Sequence, residues 1–373
     1  MHFGIRVNQA QVLQQLLQVL LVGMTLGMMR TVVPALAESE FGVPRGSFML
    51  LAAFVVAFGF VKGAMNFVAG RLAERIGRRQ VLLIGWAVAL PIPALVYFAT
   101  SWNWIVFATV LLGVNQGLTW SMTQTAKLDL TRADQRGLVI GLNEFAGYAG
   151  VALAGVITGY AASLLGPRLG LLCFGAAVIG LASLLAWLAI VETLPWAQAD
   201  ALHHAAAPAA QALRPRYPGG VSAQPGTGEM FALMSWRDRR MVALCQAGLV
   251  EKFVDAPVWA FWPLYLHQQG VSLPGIGWIV GVDGFTWGGV QFFTGRLSDR
   301  LGRQRLNVGG MWICGAGATL LPMGSGALGL GAAAALGGRI DTAFWFVAAA
   351  MGLSGLVLYR WGEETHPRLH PAA

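Results

Sequence analysis

The sequence has 373 residues, of which 56% are hydrophobic and only 11% are charged, with a formal net charge of +8. Soluble domains carry about 25% charged residues, so this composition excludes an ordinary soluble domain and indicates a polytopic membrane protein. The positive charge does not indicate nucleic-acid binding, because the arginines lie in short connectors between apolar segments and not on one basic surface.

Apolar segments follow one another along the chain, most of them as long as a helix that crosses a bilayer. A spanning helix needs about 20 apolar residues, because the hydrocarbon core is about 30 Å thick. One apolar stretch, Gly324–Gly338, is too short for that crossing. The sequence therefore predicts an all-α membrane protein with about 10 full spans and one short apolar segment. The predicted spans cover residues 15–37, 47–69, 80–100, 104–126, 138–162, 169–191, 241–266, 275–294, 305–323 and 342–359.

One long connector separates the sixth and seventh predicted spans. Residues 192–240 are rich in proline, glycine and alanine, which predicts a flexible cytoplasmic linker. Only its end, residues 229–240, is expected to form a short helix that leads into the seventh span. The linker divides the chain into an N-terminal six-helix half, residues 1–191, and a C-terminal half, residues 241–373.

Lysine and arginine residues indicate how the helices are oriented. With a cytoplasmic N-terminus, nineteen of the 25 lie in cytoplasmic segments and three in outer connectors. The cytoplasmic ones include Lys127, Arg132 and Arg136, between the fourth and fifth spans. Positive residues concentrate on the cytoplasmic side of membrane proteins. The asymmetry therefore predicts a multi-pass protein of the cell inner membrane with both termini in the cytoplasm.

An arginine-rich segment occurs twice, as GRLAERIGRRQ at Gly70–Gln80 and as GRLSDRLGRQR at Gly295–Arg305. Each copy lies between the second and third predicted helices of its half, on the cytoplasmic side. Two parallel repeats of this kind are typical of secondary transporters. The shared pattern G-x-L-x-[DE]-R-x-G-R resembles the signature loop of the major facilitator superfamily, with Glu74 in place of the usual Asp. The matching residues are Gly70, Leu72, Glu74, Arg75, Gly77, Arg78 and Arg79 in the first copy, and Gly295, Leu297, Asp299, Arg300, Gly302 and Arg303 in the second.

The resemblance implies two six-helix halves that move a small solute by alternating access, with the signature loops latching the halves on the inner side. It also implies a monomer without a cofactor. The C-terminal half falls short of the family's twelve-helix plan by about two helices, at the place where Gly324–Gly338 stands. The alternative is therefore a truncated, non-transporting or partner-dependent membrane protein. A dimer is one way in which such a chain could replace the missing helices.

Ionisable residues inside the predicted spans are the candidates for a transport route, since each one at the centre of a helix costs about 2.5–3.5 kcal/mol. They fall on spans one, two, five, seven and eight, which by the resemblance line or gate the central cavity. A structural alternative is a set of inter-helix salt bridges, for example between Lys252 and Asp283. Together with two polar neighbours, the route candidates are Arg30, Lys62, Asn66, Gln116, Glu144, Glu251, Asp255 and Asp283.

Two roles are expected among these candidates. Arg30 and Lys62 are expected to meet an anionic group of the solute. Glu144, Glu251 or Asp255 is expected to carry a proton. The predicted function is therefore secondary active transport of a small solute, coupled to protons.

Other functional classes lack the residues that they need. The sequence shows no nucleophile–base pair and no metal-ligand spacing, and the pair His203–His204 lies in the predicted linker. Nor does it show the phosphate-binding loop of an ATP-driven pump. An enzyme, a metal site and a cofactor are therefore not expected. The expected partners are a small-molecule substrate, H⁺ and the lipid bilayer, and not nucleic acid.

Overall fold

The computed structural model describes residues 2–44, 47–206, 226–320 and 340–363. Within these ranges the regular secondary structure is helical. The α-helices are α1 (Gln9–Ala35), α2 (Ala37–Glu40), α3 (Phe48–Ile76), α4 (Arg78–Ala89), α5 (Ile92–Tyr97), α6 (Trp102–Leu130), α7 (Arg136–Leu165), α8 (Pro167–Ala189), α9 (Leu194–Ala206), α10 (Thr227–Ala232), α11 (Arg239–Gln268), α12 (Leu273–Leu301), α13 (Arg303–Leu320) and α14 (Ile340–Trp361), with a 3-10 turn at Ala133–Gln135 and a π-helical turn at Leu233–Arg237.

Long apolar runs explain the long helices, because in a membrane every backbone N–H and C=O must be bonded within the spanning segment. Helices α11 to α14 occupy the positions of the seventh to tenth predicted spans, which confirms that these segments are helical. Their crossing of the membrane stays a prediction, and Gly324–Gly338 lies outside the described residues. Six described segments are long and apolar enough to cross a membrane, and they coincide with the first six predicted spans: Gln9–Ala35, Ala53–Ile76, Arg78–Tyr97, Trp102–Leu130, Ala133–Leu165 and Pro167–Ala189.

The third span contains a break that a hydropathy window does not show. α4 ends at Ala89 and α5 begins at Ile92, with Pro91 between them. Proline has no N–H to donate, and its ring clashes with the carbonyl of the residue four positions earlier in a continuous helix. The segment predicted as one helix over 80–100 is therefore two consecutive helices.

Part of the predicted linker is helical. α9 lies inside the linker. Asp200 of α9 forms an ion pair with Arg136 at the start of α7, with 3.3 Å between Oδ2 of Asp200 and Nη2 of Arg136. Further on, α10 and the π-helical turn lie where the sequence predicts a short helix before the seventh span. Residues 207–225 lie outside the described part of the chain, so their flexibility stays a prediction.

The described helices group into two compact units. The first falls within residues 1–204 and 259–296, and the second within residues 205–258 and 297–373. α11 and α12 each contribute to both units. The predicted division into two repeats and a linker stays a prediction, since compactness does not by itself reveal a repeat.

α1 is the central helix of the first unit. It is buried along most of its length and packs against α6, α7 and α8. Its contact with α7 is close because glycines of each helix face the backbone of the other. A Cβ at Gly23 would overlap the carbonyl of Gly147, and a Cβ at Gly150 would overlap the carbonyl of Leu20. Small residues allow membrane helices to approach in this way.

The second unit has a small core of its own, formed between α11, α13 and α14. Gln246 of α11 donates its side-chain amide to the carbonyl of Ser354 on α14 (3.3 Å). Gln304 of α13 donates to the carbonyl of Gly362, just beyond α14 (2.8 Å). These bonds add polar links to an apolar contact. The buried core residues are Ala243, Val308, Met311, Met351 and Leu358.

Candidate functional site

The first copy of the repeated motif forms a tight connection between two helices. α3 ends at Ile76, Gly77 has a φ of +93°, and α4 begins at Arg78. In the second copy Gly302 has a φ of +96° and lies between α12 and α13. A backbone of this kind is favourable only for glycine. The two motif glycines therefore give both copies the same short turn.

A single carboxylate binds the start of α4. Glu192 accepts hydrogen bonds from the backbone N–H groups of Arg78 and Arg79, at 2.9 and 3.0 Å. It also accepts from the N–H of Leu194, the first residue of α9, at 2.9 Å. The first N–H groups of a helix have no partner within the helix, and the helix dipole favours an anion there. A Cβ on Gly77 would overlap this carboxylate, so the turn and the cap depend on each other.

The side chain of Arg78 reaches a second carboxylate. Its Nε lies 2.9 Å from Oδ2 of Asp129 on α6, and the two side chains are only 11% and 10% exposed. Asp129 also accepts a hydrogen bond from the hydroxyl of Thr193 (2.9 Å), and Arg78 donates to the carbonyl of Ala73 (3.0 Å). A buried charge is tolerated when it is paired and hydrogen-bonded in this way. The first motif therefore fastens α3, α4, α6 and the segment after α8 to one another.

The remaining residues of the motif lie nearer the surface. Glu74 pairs with Arg71 in its own turn of helix (3.1 Å), and both side chains are exposed. The side chain of Asp299 lies outside the described structure. The other motif residues are exposed or half-buried, namely Gly70, Leu72, Arg75, Gly295, Leu297, Arg300 and Arg303.

A second cluster lies within the apolar spans and connects three helices. Nζ of Lys62 on α3 lies 5.0 Å from the centre of the Trp120 ring on α6, which is within cation–π range. Nε1 of Trp120 donates a hydrogen bond to Oε1 of Glu144 on α7 (3.0 Å). The side-chain amide of Asn143 donates to the same oxygen (2.8 Å). The Lys62–Trp120–Glu144 cluster therefore places an ammonium over the face of one indole ring and a carboxyl group at its N–H.

Aromatic rings extend this cluster from α6 and α7 to α12. The ring of Trp120 stands edge-on to that of Tyr148, with 5.9 Å between the ring centres, and Tyr148 lies 5.7 Å from Trp287 of α12. Gly147 lies against the six-membered ring of Trp120, where a Cβ would overlap the indole. Packing from several sides therefore fixes the direction in which Trp120 donates its N–H.

Comparison with protein-family models relates this arrangement to membrane transporters. The model of the Major Facilitator Superfamily matches residues 16–336. The chain belongs to this superfamily. With six described segments long and apolar enough to cross a membrane, it is a multi-pass membrane protein of this superfamily, whose members bind small-molecule substrates.

Solved structures of other facilitators have the same fold. The inward open xylose transporter XylE from E. coli has a TM-score of 0.63 at 16% identity, over 96% of this chain and 97% of that one. The proton:xylose symporter XylE bound to 6-bromo-6-deoxy-D-glucose has a TM-score of 0.64 at 18% identity, over 94% of this chain and 82% of that one. The human organic anion transporter MFSD10 (TETRAN) has a TM-score of 0.54 at 17% identity, over 96% and 86%.

A curated relative is similar in sequence to part of this facilitator. It is the probable metabolite transport protein YBR241C of Saccharomyces cerevisiae, which is 25% identical over 162 residues. The match covers 43% of this chain and 31% of the yeast protein, about a third of its length.

Two of the polar candidates of this facilitator lie in contacts between neighbouring helices. Asn66, one turn after Lys62 on α3, accepts a hydrogen bond from the hydroxyl of Ser121 on α6 (2.9 Å). Gln116 is fully buried, and its amide donates to the carbonyl of Val22 on α1 (2.8 Å). Gln116 therefore joins α6 to α1 in the present packing, and its place on a transport route stays a prediction.

The remaining candidates lie on α1, α11 and α12. Arg30 is buried on α1, with 5% of its surface exposed. Glu251 pairs with the adjacent Lys252 on α11 (3.1 Å). Asp283 is exposed on α12, and the side chain of Asp255 lies outside the described structure. Their roles in transport stay predictions.

The structure places Lys127 in a helix and not in a connector. The sequence predicts it in a cytoplasmic connector, whereas the structure continues α6 to Leu130 and buries Lys127 completely. Its Nζ donates a hydrogen bond to the carbonyl of Gln15 on α1 (3.2 Å). A hydropathy window ends a span early when the last turn carries charges. The spacing of Gln116 and Lys127, eleven residues or about three helical turns apart, was the signal for a polar face that continues.

Proposed function

We propose that this facilitator is a secondary active transporter that couples a small polar solute to protons by alternating access. It works in the cell inner membrane with both termini in the cytoplasm. The observation that carries the proposal is the Lys62–Trp120–Glu144 cluster, in which an acid able to take up a proton lies beside a cation within apolar spans. Ionisable residues at such positions are functional candidates because they are costly to insert. The related XylE is described as a proton:xylose symporter, which supports proton coupling here.

Protonation of Glu144 would change the contacts on both sides of Trp120. As a carboxylate, its Oε1 accepts hydrogen bonds from Trp120 and Asn143. A neutral carboxyl group is a weaker acceptor, so both bonds weaken when the proton arrives. The indole that loses this anchor also holds the ammonium of Lys62 on its face. Through the Trp120 ring, proton uptake by Glu144 is therefore linked to the freedom of the Lys62 ammonium to bind a solute.

The positive charge of Lys62, together with that of Arg30, favours a solute that carries an anionic group. One relative in the same fold, MFSD10, is described as an organic anion transporter. A second candidate is a sugar, because the rings of Trp120 and Tyr148 offer flat apolar surfaces and XylE is described as a xylose transporter. Measuring which solute drives proton entry, an organic anion or a sugar, distinguishes the two classes.

The test uses the purified full chain in liposomes that contain a pH-sensitive dye. D-xylose or a panel of small carboxylates is added outside, and entry of protons with the solute acidifies the interior. We expect one solute class to produce this signal. We expect Glu144→Gln to abolish it, while exchange of labelled solute between the two sides of the membrane persists, because exchange needs no net proton movement.

The matched control is Asp134→Asn, which makes the same chemical change at an exposed position. Asp134 pairs with the neighbouring Arg132 (3.2 Å) outside the cluster, so this variant should behave like the parent. A solute-driven proton signal of parental size in Glu144→Gln would contradict the role of Glu144.

The alternative is a chain that does not transport by itself, because the resemblance leaves its C-terminal half short. The decisive segment, Gly324–Gly338, lies outside the described residues. Absence of both proton movement and exchange for every solute, in protein whose intact mass equals that of the 373-residue chain, would favour the alternative. Native mass spectrometry would then show whether the chain forms a dimer or needs a partner.

A further inference from the structure

A short segment of the second unit presents an apolar surface to its surroundings. It covers residues 227–240, which are α10, the π-helical turn and the start of α11. The segment precedes the seventh predicted span, so a crossing of the bilayer does not explain its exposed apolar side chains. Exposed apolar patches mark surfaces that bind a membrane or another protein. Four large apolar side chains of the segment are between 39% and 63% exposed, namely Met230, Phe231, Met234 and Trp236.

The π-helical turn determines how this apolar surface is arranged. The N–H of Asp238 donates to the carbonyl of Leu233, five residues earlier, at 3.1 Å. A turn of this kind holds more residues than an α-helical turn. In an uninterrupted α-helix the side chains three and four residues apart are neighbours. Here Phe231 and Trp236, five apart, contact edge-on, with 5.5 Å between the ring centres. The π-helical turn therefore gathers two aromatic rings on one surface.

Arginines border the apolar surface. Arg237, Arg239 and Arg240 directly follow the aromatic rings and are exposed. The guanidinium of Arg239 lies 6.0 Å from the centre of the Trp361 ring at the end of α14. Arg240 pairs with Glu363 just beyond that helix (2.8 Å). These two contacts hold the start of α11 against the end of α14, so the segment has a defined place on the second unit.

The end of the second unit at which the segment lies has an excess of positive charge. The start of α13 meets the end of α14 there, through the hydrogen bond from Gln304 to the carbonyl of Gly362. A basic surface with exposed aromatic rings fits the anionic face of a phospholipid leaflet. The stretches at this end are 227–240, 297–307 and 358–363, and they contain seven arginines and four acidic residues.

We propose that residues 227–240 form an interfacial anchor that binds anionic phospholipids of the cytoplasmic leaflet. The rings of Phe231 and Trp236 enter the boundary between headgroups and acyl chains, where tryptophan is favoured because its ring is apolar and its N–H is polar. Arg237 and Arg239 bind the headgroup phosphates, with which a guanidinium forms paired hydrogen bonds. A leaflet is favoured over a protein partner because the segment leads directly into a helix that is predicted to cross the bilayer.

The test measures hydrogen exchange in the full chain and needs no solute. The protein is placed in nanodiscs of phosphatidylcholine alone or of equal parts of phosphatidylcholine and phosphatidylglycerol. Exchange of the backbone amides of residues 227–238 is followed by mass spectrometry. We expect these amides to exchange about tenfold more slowly with phosphatidylglycerol, because each arginine near an anionic surface strengthens binding. High salt should remove most of the difference, since it screens exposed charges.

Three variants separate the arginines from the rings. Arg237→Gln/Arg239→Gln should lose the effect of phosphatidylglycerol, whereas Arg237→Lys/Arg239→Lys should retain most of it. Trp236→Ser should exchange faster than the parent in both lipid mixtures, because the ring enters the leaflet whatever the headgroup charge. The matched control Arg6→Gln/Arg132→Gln removes two exposed arginines of the first unit and should behave like the parent.

Equal exchange in the two lipid mixtures would overturn the inference. Slowing that persists in Arg237→Gln/Arg239→Gln would also overturn it, because other groups would then bind the lipid. The same holds if inorganic phosphate reproduces the slowing in phosphatidylcholine nanodiscs, since the ligand would then be a free anion. Amides that exchange equally slowly in detergent without lipid would show that the chain itself covers this surface, which likewise refutes the anchor.

The result for the anchor is distinguishable from the result for the proposed function. Only the assignment to the cytoplasmic leaflet rests on the topology given with that function, and both leaflets of a nanodisc have the same composition. Slowing by phosphatidylglycerol together with a parental proton signal in Glu144→Gln refutes the proposed role of Glu144 and leaves the anchor. Loss of the proton signal in Glu144→Gln together with equal exchange in the two lipid mixtures refutes only the anchor.

Discussion

Replacing Glu192 by glutamine should loosen two helix starts at once. Its carboxylate accepts from the N–H groups of Arg78, Arg79 and Leu194. Glutamine has one acceptor oxygen in place of two. Two of the three N–H groups can therefore still donate to it, but without the help of a negative charge, and the third N–H faces the NH₂ group and loses its hydrogen bond. Bonds to charged groups contribute about 1.5–3 kcal/mol and neutral ones about 0.5–1.5 kcal/mol. We therefore expect Glu192→Gln to lower the local stability of these turns by about 3 kcal/mol.

Hydrogen exchange followed by mass spectrometry measures this loss at the amides concerned. Because about 1.4 kcal/mol corresponds to a factor of ten, the amides of Arg78, Arg79 and Leu194 should exchange about 100-fold faster. The matched control is Glu74→Gln in the same motif, whose exposed pair with Arg71 contributes about 0–1 kcal/mol. Exchange in Glu192→Gln that equals the exchange in the parent would refute the assignment of this carboxylate as a shared cap.

Two further predictions concern the first unit. Asp129→Asn leaves the largely buried Arg78 without its anion and should lower the free energy of unfolding by about 3 kcal/mol in denaturant titrations. Adding Arg78→Met should recover part of this loss. Full additivity of the two changes would contradict a paired site. Gly150→Ala should lower the free energy of unfolding by about 1–3 kcal/mol, because the added Cβ overlaps the carbonyl of Leu20. The control Gly180→Ala, where nothing lies within 4 Å of the added Cβ, should be neutral in the same thermal melt. Equal melting temperatures of the two variants would contradict the close contact of α1 and α7.

The helices of the first unit could be predicted because their cause is local. A backbone in lipid must satisfy its own hydrogen bonds, so a run of about 20 apolar residues is sufficient evidence for a helix. The turn in each motif copy also has a local cause, since a positive φ between two helices requires the glycine at Gly77 and Gly302. The break at Pro91 was also local, but an average over a window conceals one residue.

The contacts of the candidate site could not be predicted because they join distant parts of the chain. Arg78 and Asp129 are 51 residues apart, and Arg78 and Glu192 are 114 apart, so no spacing rule links them. In the sequence Trp120 is an ordinary aromatic residue of a span, because its contacts come from α3 and α7. The burial of Lys127 could not be predicted because the carbonyl that accepts its hydrogen bond, that of Gln15, belongs to another helix.

The shared carboxylate of Glu192 has a mechanical consequence. Its Oε1 bonds both Arg78, at the start of α4, and Leu194, at the start of α9. A hydrogen bond survives a displacement of only a few tenths of an ångström, so the two helix starts must shift together or one of the bonds must break. A displacement of α9 is therefore transmitted through this one side chain to the motif that connects α3 and α4, without a prior rearrangement of the spanning helices.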